Sequence, residues 1–223
     1  MCGDLLCLIM ENGGVDDDAA FDRLASAVYI AARAGAVDCT AAFDLATSRL
    51  EVSPLDPDAT ELASLSLEFA EASQPRMAEL ALSLLAAAGF CPGFKEEPGW
   101  LASLEDAVRL VNRDLAATGI GRSCRLHVDV ERHGIENAYV ETWDGGTSYC
   151  GISPDCGADP VSALVAVAED AQDPLMHALW AAWPVCPVHR LGVHAGAYQK
   201  AAVWWCGGDG GHAVAAIGEW PDR

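Results

Sequence analysis

The sequence predicts an α+β protein: an all-helical N-terminal module, then a small antiparallel sheet with helices that ends in a zinc-ribbon-like segment. Three observations predict it. In residues 1–95, apolar side chains recur every three or four positions, the period of an amphipathic helix. Around residues 126–142 the period changes to two, as in a half-buried strand. Cysteines and histidines at the spacing of metal ligands then follow within residues 183–218.

The N-terminal module, residues 1–95, is predicted to contain four short helices. Asp38 and Asp56 stand where they cap the N-termini of the second and third helices. Gly35 and Gly89 stand where glycine ends the first and fourth. Brief connections between such helices favour an antiparallel bundle or an array of helical hairpins.

The second module, residues 96–223, follows a connector rich in proline and glycine at residues 90–99. Its helices are expected over residues 100–118 and 161–183, and its strands over residues 126–130, 138–142, 147–152, 202–206 and 213–217. The turn Asp144-Gly145-Gly146 is expected to join the second and third of these strands.

The chain carries a formal charge of −20. The charge is spread evenly, with 5 basic and 15 acidic residues in residues 1–95 and 8 and 18 in the remainder. Because phosphate groups are bound by clustered Lys and Arg, this balance argues against a nucleic-acid partner and against anionic membranes. A protein partner with a basic surface is compatible with it.

The sequence also indicates a compartment. The apolar run Leu5–Met10 has no basic residues before it and is shorter than a secretory signal requires. Nothing approaches the roughly 20 apolar residues of a membrane span. We therefore expect a cytoplasmic protein whose nine cysteines are reduced.

The clearest chemical motif is formed by two pairs of soft ligands. Cys186 and His189 are separated by two residues, and Cys206 and His212 by a run containing four glycines. A glycine-rich turn between the second pair can fold that pair onto the first. Two thiolates and two imidazoles predict a tetrahedral zinc site, which is structural when all four positions are filled by protein.

Other ligand sets remain open at this stage. His194 can replace His212, and Cys150 or Cys156 can reach the site from elsewhere in the sequence. A site with only three protein ligands would leave a position for water, which is the geometry of catalytic zinc.

The C-terminal motifs resemble those of a group of uncharacterised actinobacterial proteins. Trp-Pro-x-Cys-Pro-x-His at residues 183–189, Ala-Val-Trp-Trp-Cys at 202–206 and Ala-x-Ile-Gly-Glu at 215–219 are similar to the C-terminus of that group. Further similarity lies at residues 88–94, 114–119 and 144–148, so that it covers roughly residues 85–220. The resemblance implies a shared fold and a metal site, but no activity.

Two function classes follow. The preferred expectation is a zinc-stabilised accessory or regulatory protein that binds another protein through its helical module. The alternative is a metal- or cysteine-dependent enzyme acting on a small molecule or peptide, with His127, Asp129, Cys150 and Cys156 as candidates. The sequence assigns no catalytic residue, and it leaves the partner, the substrate and the oligomeric state open.

Overall fold

The computed structural model describes residues 15–68, 70–129 and 136–221. The predicted α+β class is confirmed: helices precede two small antiparallel sheets. The chain divides into two compact units, Met1–Pro92 and Gly93–Arg223, so the division falls within the connector at residues 90–99. The run Leu5–Met10 lies outside the described residues.

The regular structure of the first unit, within residues 15–68 and 70–92, is helical. Its elements are α1 (Val15–Arg33), α2 (Cys39–Val52), α3 (Pro57–Glu68), a 3-10 turn (Glu71–Ser73) and α4 (Gln74–Ala87).

Side-chain caps and glycines set the ends of these helices. The Asp38 carboxylate accepts the Ala41 N–H at 3.0 Å and caps α2, and Asp56 accepts the N–H of Ala59 at 3.2 Å at the start of α3. Gly35, after α1, has φ +69°, a left-handed conformation that glycine adopts without strain. The helices bury one continuous apolar core, in which Leu45, Leu62, Met77, Leu80 and Leu84 are among the most enclosed side chains.

The described residues of the second unit form two long helices and five strands. Its elements are β1 (Arg125–Asp129), β2 (Asn137–Glu141), β3 (His194–Tyr198), β4 (Ala201–Cys206), β5 (His212–Ala216), α5 (Pro98–Ala117), α6 (Pro160–Leu179) and a 3-10 turn (Pro154–Ala158). Strands β1 and β2 form one antiparallel pair, and β3, β4 and β5 form an antiparallel sheet in that order.

Three local expectations differ from the structure. The strand expected over residues 147–152 is wrong: that segment makes only isolated bridges, because Gly151 turns the chain at φ +72°. Strand β3 was not predicted, since His-Ala-Gly-Ala-Tyr has little apolar alternation. Helix α6 ends at Leu179, four residues before the predicted position, because the next residue, Trp180, has a φ of +52° that is incompatible with a continuing helix.

The core of the second unit lies where α5 and α6 pack together and meet the strands. Trp204 of β4 is fully buried, and its indole N–H donates to the Asp114 carboxylate of α5 at 2.7 Å. The same carboxylate accepts the backbone N–H groups of Gly218 at 2.7 Å and Trp220 at 2.9 Å. Helix α5 is thereby tied to the C-terminal sheet, and β4 is fixed two residues before Cys206.

Candidate metal centre

The first pair of predicted ligands lies on a tight loop after α6. The Cys186 N–H donates to the Leu191 carbonyl and the Arg190 N–H donates to the Cys186 carbonyl, both at 2.8 Å. An isolated bridge between Val185 and Gly192 closes the loop. These bonds hold Cys186 and His189 on one short, closed turn of backbone.

The second pair lies on the hairpin that joins β4 to β5. Cys206 is the last residue of β4, His212 is the first of β5, and the two are direct cross-strand partners. The glycine run forms the turn between them, with Gly210 and Gly211 at φ +82° and +53°. Because a residue with a side chain rarely adopts such angles, the glycines allow this pair to stand side by side.

The structure brings all four side chains together. One ligand atom from each of Cys186, His189, Cys206 and His212 lies within 4.8 Å of the other three. Cys206 Sγ is 3.3 Å and Cys186 Sγ is 3.8 Å from His189 Nδ1, and Cys186 Sγ is 3.6 Å from His212 Nε2. Zinc–ligand bonds of about 2.0–2.3 Å at tetrahedral angles separate ligand atoms by about 3.3–3.8 Å. These three of the six separations in the cluster are therefore those of a tetrahedral metal site.

Both sulfur atoms are buried and receive backbone hydrogen bonds. Cys186 and Cys206 are 0% exposed and belong to the core of the second unit. The His189 N–H donates to Cys186 Sγ, and the Gly208 N–H donates to Cys206 Sγ, each at 3.4 Å. Such donors stabilise a thiolate, which is the form in which cysteine binds a metal.

The Cys186 thiol is easier to ionise than an ordinary buried cysteine. Burial acts to raise its pKa, but the backbone N–H groups of His189 and Val188 and the side chains of Cys206 and His189 lower the pKa to about 6. Cys124 is the contrast, because burial alone raises its pKa to about 12. The lowered pKa of Cys186 therefore comes from its hydrogen-bonding neighbours.

The structure does not bring the alternative ligands into this cluster. His194 is exposed on β3, opposite Trp205, and Cys150 is exposed in the segment before the 3-10 turn that contains Cys156. Within residues 15–68, 70–129 and 136–221, the set described above is the one group of three or more Cys, His, Asp or Glu side chains placed to hold a metal.

The remaining enzyme candidates lie on β1, away from any such cluster. His127 and Asp129 are two residues apart on this strand, and His127 is exposed opposite Tyr139. Their neighbour Arg125 forms an exposed ion pair with Glu141 at 2.6 Å. This part of the strand has the character of a solvated sheet face.

Gly208 is a site residue that sequence reasoning missed. A Cβ atom built on it would lie 2.6 Å from Cγ and Nδ1 of His189, closer than real Cβ atoms approach. The absence of a side chain at this position therefore makes room for the His189 ring. The sequence shows only a run of glycines and gives no sign of which one contacts the ligand.

No known protein family matches the chain, and no curated protein or solved structure matches it at a significant level. Among the described helices, none is long and apolar enough to cross a membrane. The function is therefore argued from the geometry of this protein.

Proposed function

We propose that this protein is a zinc-stabilised accessory protein that binds another protein. The observation that carries the zinc part of the proposal is the group of two sulfur and two imidazole nitrogen atoms, which lie within 4.8 Å of one another. Zinc is the metal that this ligand set favours, because thiolate and imidazole are its usual ligands and structural zinc sites are tetrahedral.

The role of the metal in this proposal is structural. Four protein ligands fill a tetrahedron and leave no position for water or substrate. Cys186 and Cys206 are part of the apolar core, so a metal bound to them joins the loop after α6 to the β4–β5 hairpin. Metal binding then contributes directly to the folding free energy of the second unit.

The first unit supplies the proposed docking surface. Val52, at the end of α2, is 75% exposed and Leu55, in the following turn, is 94% exposed. These two apolar side chains are close together in the chain, and exposed apolar groups are a common feature of protein-binding surfaces. With a formal charge of −20, the chain favours a partner with a basic surface.

We also propose a reducing, cytoplasmic compartment. Cys186 and Cys206 form no disulfide bond, and both are needed as thiolate ligands, which requires them to stay reduced.

The experiment that tests the metal site is elemental analysis of protein purified without chelator. We expect about one zinc per chain in the wild type and in His194→Ala, the matched histidine control outside the cluster. The double variant Cys186→Ser/Cys206→Ser and the single variant His212→Ala are expected to lose most of the zinc. A wild type without metal, or equal loss in His194→Ala, would contradict the proposal.

A second set of variants tests the partner. Affinity capture from the source cells is expected to retain one protein on the wild type, to lose it with Val52→Asp/Leu55→Asp, and to keep it with the exposed control Tyr149→Asp. Release of the captured protein by salt would identify the contact as electrostatic. Capture that is unchanged by the double substitution would rule out this surface.

The alternative, a metal- or cysteine-dependent enzyme, has less support. A catalytic metal needs an open coordination position, and the described cluster offers four protein ligands. A zinc content that persists in His212→Ala, together with a metal-dependent hydrolytic activity, would favour this alternative.

A further inference from the structure

A cavity lies beside the metal-binding loop in the second unit. It is bounded by the end of α5, the end of α6, the loop that carries Cys186, and Trp220. Its volume is about 600 Å³. Pockets that bind small molecules have volumes of about 300–1,000 Å³, so the cavity is large enough for a ligand of that size.

Apolar and aromatic side chains form most of the cavity wall. Its larger apolar members are Ile120, Leu179, Trp183, Val185, Pro187 and Trp220. A wall of this composition favours the apolar part of a ligand over water.

Hydrogen bonds and ring contacts hold the aromatic part of this wall in place. The Trp183 indole N–H donates to Thr118 Oγ1 at 3.0 Å, and the Trp183 ring packs edge-on against Trp204 with centroids 5.4 Å apart. The backbone of Trp220 is bound to Asp114 at 2.9 Å. Because these contacts hold the Trp183 ring in one position, a ligand that packs against it would lose less free energy in ordering it.

Arg190 is the one Lys, Arg, Asp or Glu residue among those that line the cavity. Its side chain is exposed and has no ion-pair partner in the described part of the chain. Its backbone, at φ +57°, is fixed by the hydrogen bond from its N–H to the Cys186 carbonyl. A positively charged side chain therefore lies next to an apolar wall in a protein whose formal charge is −20.

We propose that this cavity binds a small molecule with an apolar body and a single carboxylate group. The apolar body occupies the space beside Trp183 and Trp220, and the carboxylate pairs with the Arg190 guanidinium, whose planar donors match two carboxylate oxygens. This binding goes beyond the proposed accessory function and does not require the ligand to contact the metal.

Calorimetric titration with three probes of equal chain length tests the proposal: octanoate, octylammonium and 1-octanol. The net charge of the protein attracts octylammonium and repels octanoate, so preference for octanoate can arise only from a local site. We expect saturable 1:1 binding of octanoate, accompanied by a change in tryptophan fluorescence, and at least tenfold weaker binding of the other two probes. Equal binding of the three probes, or no octanoate binding, would overturn the proposal.

Two substitutions with the same change of charge locate the site. Arg190→Gln is expected to weaken octanoate binding roughly tenfold, because it removes the charge-assisted pair. Arg113→Gln, at an exposed position of α5 outside the cavity lining, is expected to leave it unchanged. Zinc content and far-UV circular dichroism, measured on both variants, separate a loss of ligand binding from a loss of the metal site. Equal effects of the two substitutions would overturn the assignment to Arg190.

Discussion

Single residues around the cluster decide whether its ligands can meet. The His189 ring lies against Gly208, where any Cβ atom would be 2.6 Å from the ring. The N–H of the same glycine donates to Cys206 Sγ at 3.4 Å. Gly208 therefore contributes to the geometry of two ligands without being one. Groups that orient metal ligands in this way affect metal affinity strongly.

Replacement of Gly208 by alanine is expected to lower zinc affinity about 10- to 100-fold, because the new methyl group displaces the His189 ring. Competition with a chromophoric chelator measures this affinity. Gly207→Ala is the matched control, since a Cβ at that position meets nothing within 4 Å. Equal affinities for the two variants would show that His189 does not bind the metal in the observed position.

At the scale of elements, one buried carboxylate joins a helix to the sheet that carries half of the site. Asp114 of α5 is 0% exposed and accepts N–H groups from Trp204, Gly218 and Trp220. These three donors lie 90 to 106 residues away in the sequence. If α5 separated from the sheet, the buried Asp114 carboxylate and its three N–H donors would lose their hydrogen bonds, which costs a large amount of free energy. Helix α5 and the C-terminal sheet are therefore expected to be stable only together.

Asp114→Asn is expected to lower the free energy of unfolding by about 2–4 kcal/mol, because the amide NH₂ would face at least one N–H donor. Urea unfolding of the zinc-loaded protein measures the change. Asp106→Asn removes the same charge from the same helix at a position that is 66% exposed, and it should change the free energy by less than about 0.5 kcal/mol. Similar values for both variants would mean that overall charge, and not the buried acceptor, determines the loss.

The elements that the sequence predicts well are those set by local interactions. The capping residues Asp38 and Asp56 define helix starts through bonds to residues only three positions away. Strand β3 depends on its partner β4 instead, and its own residues carry little signal. The segment 147–152 is the opposite case: its residues have a suitable pattern for a strand, but Gly151, in a left-handed conformation, interrupts it.

The candidate site also has features that local sequence predicts and features that depend on distant segments. Residue type and spacing along two short segments predict the four members of the cluster, although they leave His194 open as a substitute for His212. The roles of Gly208 and Asp114 depend on contacts between distant segments, which the sequence does not display. Sequence spacing does not exclude the substitute His194, and it is the pairing of β3 with β4 that places this residue opposite Trp205, outside the cluster.

At the scale of the whole molecule, the described residues form two cores with no residue in common. One draws its buried side chains from residues 25–85, and the other from residues 94–217. All four candidate metal ligands belong to the second unit. If the metal stabilises only the unit that binds it, metal removal must affect the two units unequally.

Hydrogen exchange measured by mass spectrometry, with and without chelator, tests this asymmetry. We expect chelation to accelerate exchange in β3, β4 and β5 at least about a hundredfold, because the loop after α6 and the β4–β5 hairpin lose their shared link. Exchange in α2, α3 and α4 is expected to stay unchanged. Cys186→Ser/Cys206→Ser without chelator should reproduce the pattern, and chelator should add nothing to it. Acceleration of equal size in both units would instead mean that they unfold as one cooperative body, with the metal stabilising the whole chain.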